Sequence, residues 1–159
     1  NSRVLSVMGS AFLEKKQYAE AISVFKKMRD VMPKNGSIAN TLGYLLADQN
    51  KELDLAKKLI EEALELDLPN RATYLDSLAW VHFRKGKFED ARKIQEKAMK
   101  LFSLTHEPIS SEVHLHMGRI YEKLKDRDAA KKSYADAIKS NSDEEMVRLA
   151  SESLHSLSR

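Results

Sequence analysis

Five histidines are the residues of this chain best suited to metal or acid–base chemistry, and their spacing works against both. His114 and His116 stand two apart, roughly 200° around a helix axis, so their rings diverge and cannot chelate one ion without distortion. His106-Glu107 has no second histidine near in sequence. All five read as surface groups. Asp76 stands beside Ser77, but no base is placed to activate the hydroxyl, and no glycine-rich phosphate loop exists. Cysteine is absent, which excludes disulfides, thiolate metal sites and cysteine nucleophiles while leaving the compartment open. The expectation is a protein with no catalytic, metal or cofactor site.

Binding chemistry is better represented. Tyr44, Trp80 and Phe83 are large aromatics, and Arg84, Arg119 and Lys123 are cations that could act beside them. Aromatic and arginine side chains are the usual anchors of protein interfaces. Whether these six meet depends on the elements that carry them.

Those elements repeat. A small residue after Leu or Met recurs at Met8-Gly9, Leu42-Gly43, Leu78-Ala79 and Met117-Gly118, at steps of 34, 36 and 39 residues. Ala21, Ala56, Ala91 and Ala130 keep the same phase, followed by Met28, Ala63, Ala98 and Ala137. Such periods mark stacked helix–turn–helix units, each burying its apolar face on its neighbours. In the first unit, Leu5, Met8, Gly9 and Phe12 form a helical stripe. Glu14-Lys15-Lys16-Gln17 turns the chain, and Ala21, Ile22, Phe25 and Met28 form the second stripe. The small residues belong where the two helices cross, since a larger side chain would overpack the crossing. Helix pairs are expected near 3–16 and 18–32, 37–48 and 52–67, 71–85 and 88–102, and 109–124 and 127–140, in units of about 2–35, 36–70, 71–107 and 108–142.

The third junction is irregular, with about five extra residues around Phe102 to Pro108, and Pro108 suits the first turn of the next helix. Ser142-Asp143-Glu144-Glu145 reads as a helix start, and Met146, Leu149, Ala150, Leu154 and Leu157 give one apolar stripe. That helix, 143–157, is expected to cap the stack, with Leu149 and Leu154 largely buried. Val4, Leu5 and Met8 have no comparable cover before them, and the chain opens Asn-Ser-Arg without Met, which reads as a segment of a longer array.

These residues resemble the tetratricopeptide repeat. The first unit matches at Gly9, Phe12, Ala21, Phe25 and Pro33; the second at Gly43, Ala56, Ala63 and, one residue late, Pro69. The third has Ala91 and Ala98, with Ala79 for glycine and His82 for the aromatic; the fourth has Gly118, Tyr121, Ala130, Tyr134 and Ala137. The resemblance implies an all-α fold, a right-handed α-solenoid of four units plus the capping helix, and a protein-binding role. The stretches Leu42 to Asp48 and Leu75 to Val81 are also similar to C-terminal repeats of bacterial envelope proteins of this family. That likeness implies a bacterial, periplasmic setting, with the cytoplasm as the alternative.

The register turns Asn40, Tyr44, Asp76, Trp80, Phe83, Arg84, Leu115, His116, Arg119 and Lys123 toward a concave groove suited to an extended peptide or a helix. Trp80 has an equal alternative, packing on the adjacent repeat, and for Phe83 that alternative is preferred. The Lys, Asn and Arg set with which co-chaperones of this family hold a carboxylate tail is missing in both registers. Ser6, Ser10, Thr41, Thr73 and Ser77 stand there in one, and Asn40, Tyr44, Ser77, Glu112 and His116 in the other.

Net charge of +3 gives no footprint for nucleic acid, and the basic pairs such as Lys26-Lys27 and Lys131-Lys132 are not interleaved with aromatics. No apolar run approaches the roughly 20 residues of a membrane helix. The expected function is a scaffold holding a protein or peptide partner in the groove. The alternative is a self-associating array that pairs through its uncapped N-terminal face.

Overall fold

The computed structural model describes residues 2–159. Among them are nine α-helices and no strand: α1 (Ser2–Glu14), α2 (Tyr18–Val31), α3 (Gly36–Asp48), α4 (Leu53–Leu66), α5 (Arg71–Arg84), α6 (Phe88–Leu104), α7 (Ser111–Lys123), α8 (Arg127–Ser140) and α9 (Glu144–Leu157). Consecutive helices pack as the pairs α1–α2, α3–α4, α5–α6 and α7–α8, and α9 packs on both α7 and α8. The chain is an α-solenoid.

The small residues sit at the crossings. Ala21, Ala56, Ala91 and Ala130 are completely buried, as are Ala63, Ala98 and Ala137. A methyl group on Gly43 would stand 2.7 Å from Ile60 Cγ1 and 2.9 Å from the Ala56 carbonyl oxygen. On Gly118 it would collide with the Tyr134 ring. The turns repeat in the same phase. Lys16, Asn50, Gly86 and Lys125 all have positive φ, between 53° and 74°, and only the third is glycine. A left-handed residue lets the chain reverse within three or four residues, and Gly86 adopts it without the steric cost that the other three carry.

The irregular junction differs from expectation. Pro108 lies outside α7, which starts at Ser111. Ser110 is the N-cap, its side chain accepting from the Val113 amide, so the helix begins where a cap is available. The following residues lock this junction to the far end of the stack. Ser111 Oγ donates to the Ala137 carbonyl at 2.8 Å, the Ser111 amide donates to Ser142 Oγ at 2.8 Å, and Ser140 Oγ donates to the Ile109 carbonyl at 2.8 Å. Asp143 then caps α9 by accepting from the Met146 amide at 3.0 Å.

The α9 helix covers the fourth unit, but less completely than expected. Only Ala150 is fully buried; Leu149, Leu154 and Leu157 are half-buried against Tyr134, Ala137 and Leu115. A single helix laid on the stack has one contacting face, and nothing lies beyond it among the described residues. The stack also curls back on itself: Lys16 Nζ, in the α1–α2 turn, reaches Glu145 Oε1 of α9 at 2.8 Å. At the other end of the first unit, Val4, Val7 and Met8 are 53%, 66% and 41% exposed, while Leu5 packs on the core.

Candidate partner-binding groove

The first helices of successive units, α3, α5 and α7, bring Tyr44, Trp80, His116 and Arg119 to one place. At its centre is a buried polar cluster. His116 Nδ1 lies 3.0 and 3.2 Å from the two Asp76 carboxylate oxygens, so the Nδ1 proton points at the acid. Gln95 Nε2, from α6, donates to Asp76 Oδ1 at 2.5 Å and to the Val113 carbonyl at 3.1 Å. Burial disfavours charge on His116, but the Asp76 charge and hydrogen bond, helped by Glu112, hold its pKa above the ordinary histidine value. Above this cluster, the Tyr44 hydroxyl donates to Glu112 Oε1, tying α3 to α7. Burial, then the Glu112 charge, pushes the Tyr44 phenol well up.

Trp80 stacks on this cluster. Its ring centroid is 4.3 Å from that of His116 and 4.7 Å from that of Phe83, with interplanar angles of 17° and 8°. The guanidinium carbons of Arg84 and Arg119 lie 5.8 and 5.7 Å from the same indole, within the range of cation–π attraction.

This arrangement corrects part of the sequence reading. Trp80 is 2% exposed, so it packs between repeats and is not an exposed anchor. Asn40, Asp76, Leu115 and His116 are likewise buried. His116 is therefore not a surface histidine. These five side chains shape the wall of the groove from within. Tyr44, Phe83, Arg84 and Arg119 are half-buried, and Lys123 is exposed, so those five reach the surface. The Ser77 hydroxyl donates to the Thr73 carbonyl within its own helix at 3.3 Å.

The groove is divided in two. On one side of the Trp80–His116 stack, a cleft of about 580 Å³ has apolar walls from Leu13, Tyr44, Met146 and Leu149, and carboxylates from Asp48, Glu112, Asp143 and Glu145. On the other, a cleft of about 330 Å³ is lined by Trp80, Phe83, Arg84, Arg119, Glu122, Lys123 and Ser153. Arg119 borders both. Arg84 and Lys123 are thus confined to the second cleft, which carries the surplus of cations.

Sequence reasoning missed Gln95, whose full burial links α5, α6 and α7. The signal was present: Gln95 follows Ala91 by four residues, a polar side chain at an apolar-stripe position. A buried amide there requires polar partners across the helix interface.

Among the described residues, no helix is long and apolar enough to cross a membrane. Comparison with known proteins agrees with the architecture. Family models described as tetratricopeptide repeat match residues 34–103 and 111–144, together more than half of the chain. A TPR repeat-containing protein of Pseudomonas aeruginosa is 34% identical over 86 residues, which is 54% of this chain but 13% of that protein's length. Among solved structures, a thermophilic TPR protein of Thermus thermophilus superposes with a TM-score of 0.74 at 17% identity, over 97% of this chain and 81% of its own. The MamA protein superposes with a TM-score of 0.61 at 18% identity, over 96% of this chain and 81% of its own. At these identities the structural likeness establishes the fold, and the repeat models with the phased small residues establish the lineage: the chain belongs to the tetratricopeptide repeat family.

Proposed function

We propose that the chain is a protein-interaction scaffold that holds a segment of a partner protein along its concave, first-helix face. The observation that carries this reading is the pair of adjoining clefts of opposite charge on one face, bordered by Tyr44, Phe83, Arg84, Arg119 and Lys123. Phe83, Arg84 and Arg119 are held against the buried Trp80 ring, which itself stacks on His116, so less side-chain freedom is lost on binding. Affinity capture from the native cell tests it with two charge reversals. Arg119→Glu, in the groove, is expected to abolish capture of the partner, and Lys97→Glu, exposed on the second helix α6, to preserve it. Equal capture by both variants would reject the groove.

A second reading rests on a different observation. Val4, Val7 and Met8 form an exposed apolar strip on α1, a face that a second copy of the chain would cover. Sedimentation velocity over a wide concentration range, with Val7→Asp as control, tests this. A constant monomer mass rejects self-association; a concentration-dependent dimer lost in the variant supports it.

A further inference from the structure

We propose that the smaller cleft, between the C-terminal ends of α5 and α7, receives an acidic side chain of the partner segment, with a neighbouring apolar side chain lying against the half-buried Phe83. This deepens the groove reading above and rests on it.

Three observations carry the proposal. First, Arg84, Arg119 and Lys123 line one cleft of about 330 Å³, and none of the three forms an ion pair among the described residues. This is unlike Arg29, Arg92 and Arg148, which are all ion-paired. The carboxylate in the cleft, Glu122, is held by the Tyr134 hydroxyl at 2.6 Å. Second, two donors of residues that line the cleft have no hydrogen-bond partner among the described residues: the indole Nε1 of Trp80, whose side chain is almost wholly buried, and Nε of Arg84. An unpartnered buried donor is costly, so an acceptor carried in by the partner segment would relieve that cost once the side chains adjust to admit it. Third, both guanidiniums are held near the indole face, which fixes their position before any ligand arrives.

The charge beyond Arg119 decides the class of ligand. Asp48, Glu112, Asp143 and Glu145 line the adjoining cleft, so a nucleic-acid backbone running along the groove would meet like charge within a few residues. A single carboxylate flanked by neutral or basic residues satisfies both clefts. Guanidinium and carboxylate form charge-assisted hydrogen bonds that a neutral amide of the same shape cannot equal.

Trp80 is the single tryptophan of the chain, so its emission reports this cleft directly. The probes are a capped pentapeptide with Glu beside Phe, its twin with Gln in place of Glu, and inorganic phosphate. The Glu peptide should give a saturable change in emission, with the Gln twin at least about tenfold weaker. Arg119→Gln, and the exposed Lys123→Gln chosen to spare the fold, should each weaken the Glu peptide while far-ultraviolet circular dichroism is unchanged. Equal binding of the Glu and Gln peptides, or no binding of either by fluorescence and calorimetry, overturns the proposal. Phosphate matching the peptide in affinity overturns the peptide assignment in favour of a free-anion site. The two readings fail separately. Glu-peptide binding with Arg119→Glu still capturing the cellular partner rejects the groove reading alone. A double Arg84→Gln, Arg119→Gln variant that loses the peptide but keeps the partner rejects the cleft's part in recognition alone.

Discussion

His116 Nδ1 lies 3.0 Å from Asp76 Oδ1 across the α5–α7 interface, with side-chain exposures of 3% and 7%. Gln95 completes the cluster, so three helices from two units share one buried polar centre. Such a centre makes the relative placement of the third and fourth units specific, because a displaced neighbour would leave a buried acid without its donors.

The pair gives stability a pH dependence of definite sign. Because the folded-state pKa of His116 is raised, its contribution is fully present below the ordinary value of 6.5 and is lost as pH rises through the raised value. His82 and His114 act oppositely, since burial lowers both and their protonation opposes folding at acid pH. The test is therefore a difference. Urea denaturation of wild type and His116→Gln should show their stability gap widest below the ordinary histidine value of 6.5 and shrinking as pH rises above it. A gap independent of pH would mean that His116 does not titrate in this range.

Replacing Trp80 by Ala should act as a core mutation. The indole is stacked between Phe83 and His116, so truncation opens a cavity and should cost about 3–5 kcal/mol. Thermal denaturation checks this, and a loss below about 1 kcal/mol would mean that the indole is exposed in solution.

Gly118→Ala should overpack the α7–α8 crossing. The added methyl meets the Tyr134 ring, itself fully buried with its hydroxyl held by Glu122, so the ring has nowhere to move. The expected cost is about 1–3 kcal/mol, against a helix-propensity gain of about 1 kcal/mol. A chemical-denaturation midpoint equal to or above wild type would show that the crossing is looser than described.

For the capping helix, Leu149→Ala should cost about 1 kcal/mol, because the side chain is half-buried and its removal leaves a surface notch. Deleting α9 should cost far more, by uncovering Leu115 and the Ala137 face of the fourth unit. Equilibrium unfolding of both variants separates the two; a Leu149→Ala loss above about 3 kcal/mol would indicate a buried core position.

The sequence by itself determined the helices, their pairing and their crossings. These rest on local spacing: small residues at steps of 34, 36 and 39 can only be the close contacts of repeating pairs, and the left-handed turn residues fall at the same steps. The start of α9 was legible to within one residue, expected at 143 and found at Glu144 after the Asp143 cap, and that of α7 was misread at Pro108, where the Ser110 cap set the start. The tertiary structure alone decided what each groove residue does. Whether Trp80 faces solvent or its neighbour depends on how far the next unit rotates over it, and that rotation is fixed by contacts distant in sequence. These are Asp76 with His116, Tyr44 with Glu112, and Lys16 with Glu145. Helical periodicity assigns a residue to a face, but the curvature of the stack decides whether that face is covered.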